Sequence, residues 1–164
     1  MSRQVNRQRH IIKIRMTLKI ILDTNVCLDL FMFRDPRWQH LLSAMQQDQV
    51  ECVTSSSCRM EWTLVLNYKK LALTDLEQQT LLAEFDALIH VIPDEEPSIA
   101  LPIKLPVCRD KDDQKFLVLA HTAQADFLIT KDKALLKLAR KTSRLGLFTI
   151  ASPEAWTKLF EPSA

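Results

Sequence analysis

Carboxylates set at the ends of short apolar runs are the residues here whose types and spacing could do chemistry. The stretch DKDDQKFLVLAHTAQADFLITKD, residues 110–132, opens on Asp110, Asp112 and Asp113 and closes on Asp132. Earlier, Asp23 ends the run LKIIL, and Glu61 stands within SSSCRMEWTLVL. Carboxylates crowded without cations repel one another and raise each other's pKa, so a hard divalent cation is the simplest reason to assemble them. With no histidine or cysteine in the pattern, the set suits Mg2+ or Mn2+ rather than zinc. Such ions activate a water and neutralise the charge that develops on a phosphodiester, and a pair ~3.5 to 4 Å apart can clamp both attacking and leaving oxygens.

The elements that must position these acids can be read from periodicity. Phe116, Leu119, Ala120 and Ala123 follow the acids of 110–113 at helical spacing, Phe127 to Thr130 is a short β-prone run, and Ala134 to Ala139 resumes a helical pattern. Helix, strand and helix in that order put Asp132 just past a strand's C-terminal end, the edge where open α/β sheets carry their sites. Leu18 to Leu22 reads as a central parallel strand with Asp23 at its tip. Asp23 is therefore a site candidate, while a turn or helix-cap role is the other reading, since Asp, Thr and Asn all favour such positions.

Between these points the pattern predicts a short helix over 26–33, an amphipathic helix marked by Trp38, Leu41, Leu42 and Met45, and a strand over 51–54. Ser55, Ser56 and Ser57 offer N-caps for a helix continuing to about Lys70, with Met60, Leu64 and Leu71 as its apolar face and Glu61 alongside it. A carboxylate near the buried side needs a partner, either a metal or an arginine such as Arg59. A helix over 75–90 then runs into a strand at about 89–92, and a loop with four prolines spans 93–106 before the acid cluster. A loop of that length is either functional or a plain surface excursion.

After Asp132, Lys133, Lys137, Arg140, Lys141 and Arg144 fall at helical spacings that place all five on one face. That face is either simply solvated or a one-sign stripe able to bind a phosphate backbone. A strand over 147–150 and a helix over 153–160, with Pro at its first turn, end the pattern.

Composition narrows the function classes. At 164 residues, 47% hydrophobic and 26% charged, the chain suits one ordinary globular domain, expected over 17–160 with a tail at 161–164. A single glycine, Gly146, means that neither GxGxxG nor GxxxxGK[ST] can be written, which removes dinucleotide and P-loop functions. The four scattered cysteines form no CxxC pair, as expected of buried reduced thiols in a cytoplasmic protein. No apolar run approaches the ~20 residues of a membrane span, and Lys13, Arg15 and Lys19 interrupt any signal-peptide core. Residues 1–15 hold five basic residues and no acid; without them 17 basic residues face 20 acidic ones, a balance of −3. Residues 1–16 thus read as a basic arm or as a start assigned too early, with Met16 as the alternative first residue.

Four segments, IILDTNV at 20–26, SSSCRMEWTLVL around Glu61, DKDDQKFLVLA at 110–120 and ADFLITKDKALL at 125–136, resemble the PIN domain family, in the branch of toxin components of type II toxin–antitoxin systems. The resemblance covers roughly 17–160. It implies an α/β/α three-layer sandwich with a mainly parallel sheet, and an endoribonuclease dependent on Mg2+ or Mn2+. Matched motif to motif, Asp23, Glu61, Asp113 and Asp132 fall on the family's metal-holding acids, Glu61 acting through a bound water, with Asp110 and Asp112 as nearby alternatives and Asn25 and Thr130 as supporting polar positions. RNA is the implied substrate, with an antitoxin protein and a second copy of the chain as partners. Lys111 stands where the family usually has proline, and Lys131 where glycine often precedes the last acid.

Two rivals differ in class. A haloacid-dehalogenase-like phosphatase ends its first strand in DxDx[TV], but Asn25 occupies the second acid's place and removes the general acid. A PIN-like module that binds RNA or protein without cutting would not need four intact acids.

Overall fold

A computed structural model describes residues 17–94 and 104–160. The 1–16 arm, the 161–164 tail and most of the proline loop lie outside these residues. Five strands, β1 (Leu18–Leu22), β2 (Val50–Ser55), β3 (Ile89–Ile92), β4 (Phe127–Ile129) and β5 (Thr149–Ala151), form one sheet in the order β3-β2-β1-β4-β5. Every pairing is parallel, with Ile20 opposite Cys52 on one side of β1 and Leu22 opposite Ile129 on the other.

Parallel strands buried on both faces read as continuous apolar runs, and β1 shows why. Ile20 and Leu22 point into one core while Ile21 points into the other. The first core takes α1 (Thr24–Cys27), α2 (Gln39–Gln46), α3 (Ser56–Leu66), α4 (Asp75–Leu88) and α8 (Pro153–Phe160), through Val26, Leu41, Trp62, Phe85 and Trp156. The opposite core takes α5 (Gln114–Thr122), α6 (Lys133–Leu136) and α7 (Ala139–Arg144), through Phe116, Leu117, Leu135 and neighbouring Phe148. The result is the expected three-layer α/β/α sandwich. Among the described residues no helix is long and apolar enough to cross a membrane.

Aromatic packing anchors the first core. Trp62 stacks on Phe85 at 5.4 Å between ring centroids, and Phe31 tilts against both. Each such buried side chain contributes about 1.5–3 kcal/mol.

Local signals set several boundaries. Ser55 caps α3, its Oγ accepting from the Cys58 amide at 3.2 Å. Thr74 and Glu77 form a reciprocal capping box on α4. Three expectations are corrected. First, α3 ends at Leu66 rather than near Lys70, and a separate 3-10 turn follows at Lys69–Leu71. Second, its buried face is Cys58, Trp62 and Leu66, whereas Met60 and Leu64 are exposed. Trp62 carries the largest apolar surface in the segment, so it decides which side faces the sheet. Third, the basic segment is not one helix: α6 stops at Leu136 and α7 starts at Ala139. The five basic residues are all exposed, but they are divided between two short helices, with Lys137 in the break between them.

Candidate active site

Order β3-β2-β1-β4-β5 reverses direction at β1 and β4. β1 feeds α1 on one face of the sheet and β4 feeds α6 on the other, so a crevice opens between their C-terminal ends. Asp23 and Asp132 stand at its two edges. Asp23 is the N-cap residue of α1, is 4% exposed, and its amide continues the ladder by donating to the Ile129 carbonyl at 3.0 Å.

Thr130, fully buried, joins the two edges. Its hydroxyl donates to Asp23 Oδ2 at 2.7 Å and accepts from the Asp132 amide at 2.9 Å. Asp132 caps α6, with Oδ1 accepting from the amides of Ala134 and Leu135. That leaves Oδ2 outside the cap.

Two helices bring the other acids. Glu61 sits on α3, where Oε2 accepts from the Thr24 hydroxyl at 2.5 Å and Oε1 lies 3.3 Å from Lys115 Nζ. Arg59 is not its partner; that guanidinium forks onto Asp86 instead. Asp113 begins α5 without capping it by a side-chain hydrogen bond, so its carboxylate is not consumed by the helix.

Burial pushes the Asp23 carboxyl up, and the charges of Glu61 and Asp132 add to the rise, against the lowering bond from Thr130. Asp113 is pushed up to about 6, first by burial and then by Asp23, Asp132, Asp110 and Glu61. The acids thus share one electrostatic neighbourhood. Among the described residues, however, no three His, Cys, Asp or Glu side chains stand close enough to share one ion. Repelling carboxylates take other partners, and here threonine hydroxyls and the Lys115 ammonium supply them. The donor chemistry, hard oxygens from separate elements, is of the kind that suits a hard divalent cation.

The remaining expected residues divide. Asn25 is exposed at the crevice rim. Asp110 caps the 3-10 turn Lys111–Asp113, its Oδ1 accepting from the Asp112 amide at 3.0 Å, and Asp112 is exposed. Asp110 still contributes charge at Asp113. All four cysteines are buried with free thiols, pushed up by burial and therefore unreactive.

Sequence reasoning missed Thr24, Asp29, Lys115 and Lys131 as partners of the site. Asp29 is buried and accepts from Lys131 Nζ at 2.7 Å. Signals existed: Thr24 adjoins Asp23, Lys115 follows Asp113 by two residues, and Asp29 lies one helical turn beyond Asn25.

A comparison with curated proteins gives no match. The family model for the PIN domain matches residues 19–134, a stretch that contains β1 apart from its first residue, all of β4 and all four acids. With that match over most of its length, and with the parallel α/β/α architecture, the chain belongs to the PIN domain family.

Proposed function

We propose that this protein is a metal-dependent endoribonuclease that hydrolyses RNA phosphodiester bonds with Asp23, Glu61, Asp113 and Asp132. PIN domains are generally nucleases. The observation that carries the reading is a linkage at the sheet's reversal point: Thr130 ties Asp23 to Asp132, Thr24 beside Asp23 meets Glu61, and Asp113 feels the charge of all three acids. Asp23 and Asp113, from neighbouring elements, would hold Mg2+ or Mn2+, with Glu61 and Asp132 beside them and Asp110 and Asp112 further out. Such an ion supplies an activated water and neutralises developing phosphodiester charge.

The chain's own groups do the rest. Thr130 fixes Asp23 relative to Asp132, and Thr24 fixes Glu61 relative to Asp23. Lys115 offsets the Glu61 charge, which lowers the repulsion a phosphate would meet. Lys133, Lys137, Arg140, Lys141 and Arg144, all exposed beyond Asp132, offer the RNA backbone cations. The four motif segments further support a role as toxin component of a type II toxin–antitoxin system, acting in the cytoplasm with an antitoxin as partner.

Cleavage of RNA by the purified protein is expected to stop in EDTA and to return with Mn2+ or Mg2+. Cleavage that persists in excess EDTA would overturn the assignment.

A further inference from the structure

Beside the acids a groove of about 530 Å3 opens, in the size range of small-molecule sites. One wall is Asn25, Asp29 and Phe33; the other is Lys131 and Lys133, with Asp132 at the end shared with the active site. The walls belong to opposite faces of the sheet and are tied by the Lys131 to Asp29 ion pair. A five-residue π-helix at Leu28–Met32 extends α1 and is followed by Phe33, a residue that is 58% exposed. Wide turns of this kind recur at functional sites.

An aromatic ring left open to water at a groove rim is unexplained by packing. The chemistry around it is mixed: a π-face, a side-chain amide that both donates and accepts, and two exposed lysines, of which Lys131 already pairs with Asp29 and Lys133 follows Asp132. An aliphatic ligand would leave the amide unused, and an acidic ligand would leave the ring unused. A nucleotide uses all three, because its base stacks, its edge carries donors and acceptors, and its phosphate is anionic.

We infer that this groove is a base subsite: it takes one unpaired nucleotide of the RNA strand, adjacent to the phosphate presented to the acids. The ring of Phe33 stacks on the base, Asn25 hydrogen-bonds its edge, and Lys131 and Lys133 face the flanking phosphate. The substrate is therefore single-stranded at that nucleotide, since a base held in a helix cannot stack on a protein ring. This deepens the ribonuclease assignment and rests on it.

The test compares the parent with Phe33→Ala, Phe33→Leu and Phe33→Tyr on a short RNA and on the same RNA carrying one abasic position walked along it. Base stacking of ordinary strength gives about a tenfold fall in kcat/KM for the Ala and Leu proteins, carried by KM, and near-parental behaviour for Tyr. At one abasic position next to the cut, the parent should lose the same factor and Phe33→Ala should lose nothing more. A second readout needs no cleavage: in an Asp23→Asn background, 2-aminopurine at that position should be quenched on binding, and the quench should vanish when Phe33→Ala is added.

Equal kcat/KM for parent and Phe33→Ala, or an Ala loss that is as large on every abasic RNA, overturns the subsite. If the parent cuts no RNA, the ribonuclease assignment fails separately, and the fluorescence alone then decides the groove: a quench lost with Phe33→Ala supports it, and an unchanged quench overturns it.

Discussion

A carboxylate on a residue that is only 4% exposed, as Asp23 is, is costly to keep charged, and burial is the largest cause of its raised pKa. The bond from the Thr130 hydroxyl to Oδ2 offsets that cost most, and the Thr24 backbone amide adds to the offset. Asparagine at this position keeps an oxygen for Thr130 and removes the charge. Asp23→Asn is therefore expected to be inactive, to melt at or above the parent in EDTA, and to gain less from Mn2+. Melting clearly below the parent in EDTA would make Asp23 a structural acid. Asp113 gives a pH signature. Its folded carboxyl holds a proton up to about pH 6, against 3.8 for the unperturbed group. Between those values the native state binds more protons than the unfolded chain, so stability falls as pH rises through the window. After solvent screening the loss should be about 1 kcal/mol, and denaturation in EDTA at pH 4.5 and 7 should find it reduced in Asp113→Asn.

At the scale of elements, Asp23, Asp113 and Asp132 are placed by secondary-structure ends and Glu61 by the middle of α3, and for Asp132 the structural and chemical roles overlap. It holds the first amides of α6 through Oδ1 and leaves its second oxygen outside the cap. The two roles separate by substitution. Asp132→Asn retains a capping oxygen and should melt near the parent while losing cleavage, whereas Asp132→Ala should also lose about 1 kcal/mol in chemical denaturation. Equal stability of the two variants would deny the cap. The other element ends show why boundaries were hard to read. With one glycine in the chain, the left-handed turns fall on Arg34, Asp48, Ala72 and Gln124 as well as on Gly146. A turn at a residue with no turn signature leaves no mark in the sequence.

For the whole molecule, the sheet reversal between β1 and β4 makes one crevice serve both the acids and the Phe33 groove. The cores on the two sides of the sheet are built from residues 18 onward among those described. A chain starting at Met16 should therefore melt within error of the full chain in a thermal scan, although it loses five basic residues. A large drop in melting temperature would show that residues 1–15 pack on the body.

How much of this was legible divides along a physical line. Strands β1 and β4 were readable because the stretches buried on both faces, residues 20–22 and 128–129, are apolar without a break, and Asp23 and Asp132 were readable because each follows shortly after such a run. The parallel layering followed from helix and strand alternation, and the four acids from their motifs. Tertiary structure decided the partners. Glu61 meets Thr24 and Lys115 rather than Arg59, because α3 turns Trp62 inward and so fixes where its neighbour points. Asp29 meets Lys131 across 102 positions of sequence, a contact that exists only once β1 and β4 pair. Periodicity reports which side of an element is buried against something; what lies on the other side of the contact is set by the packing of distant elements, which no local pattern encodes.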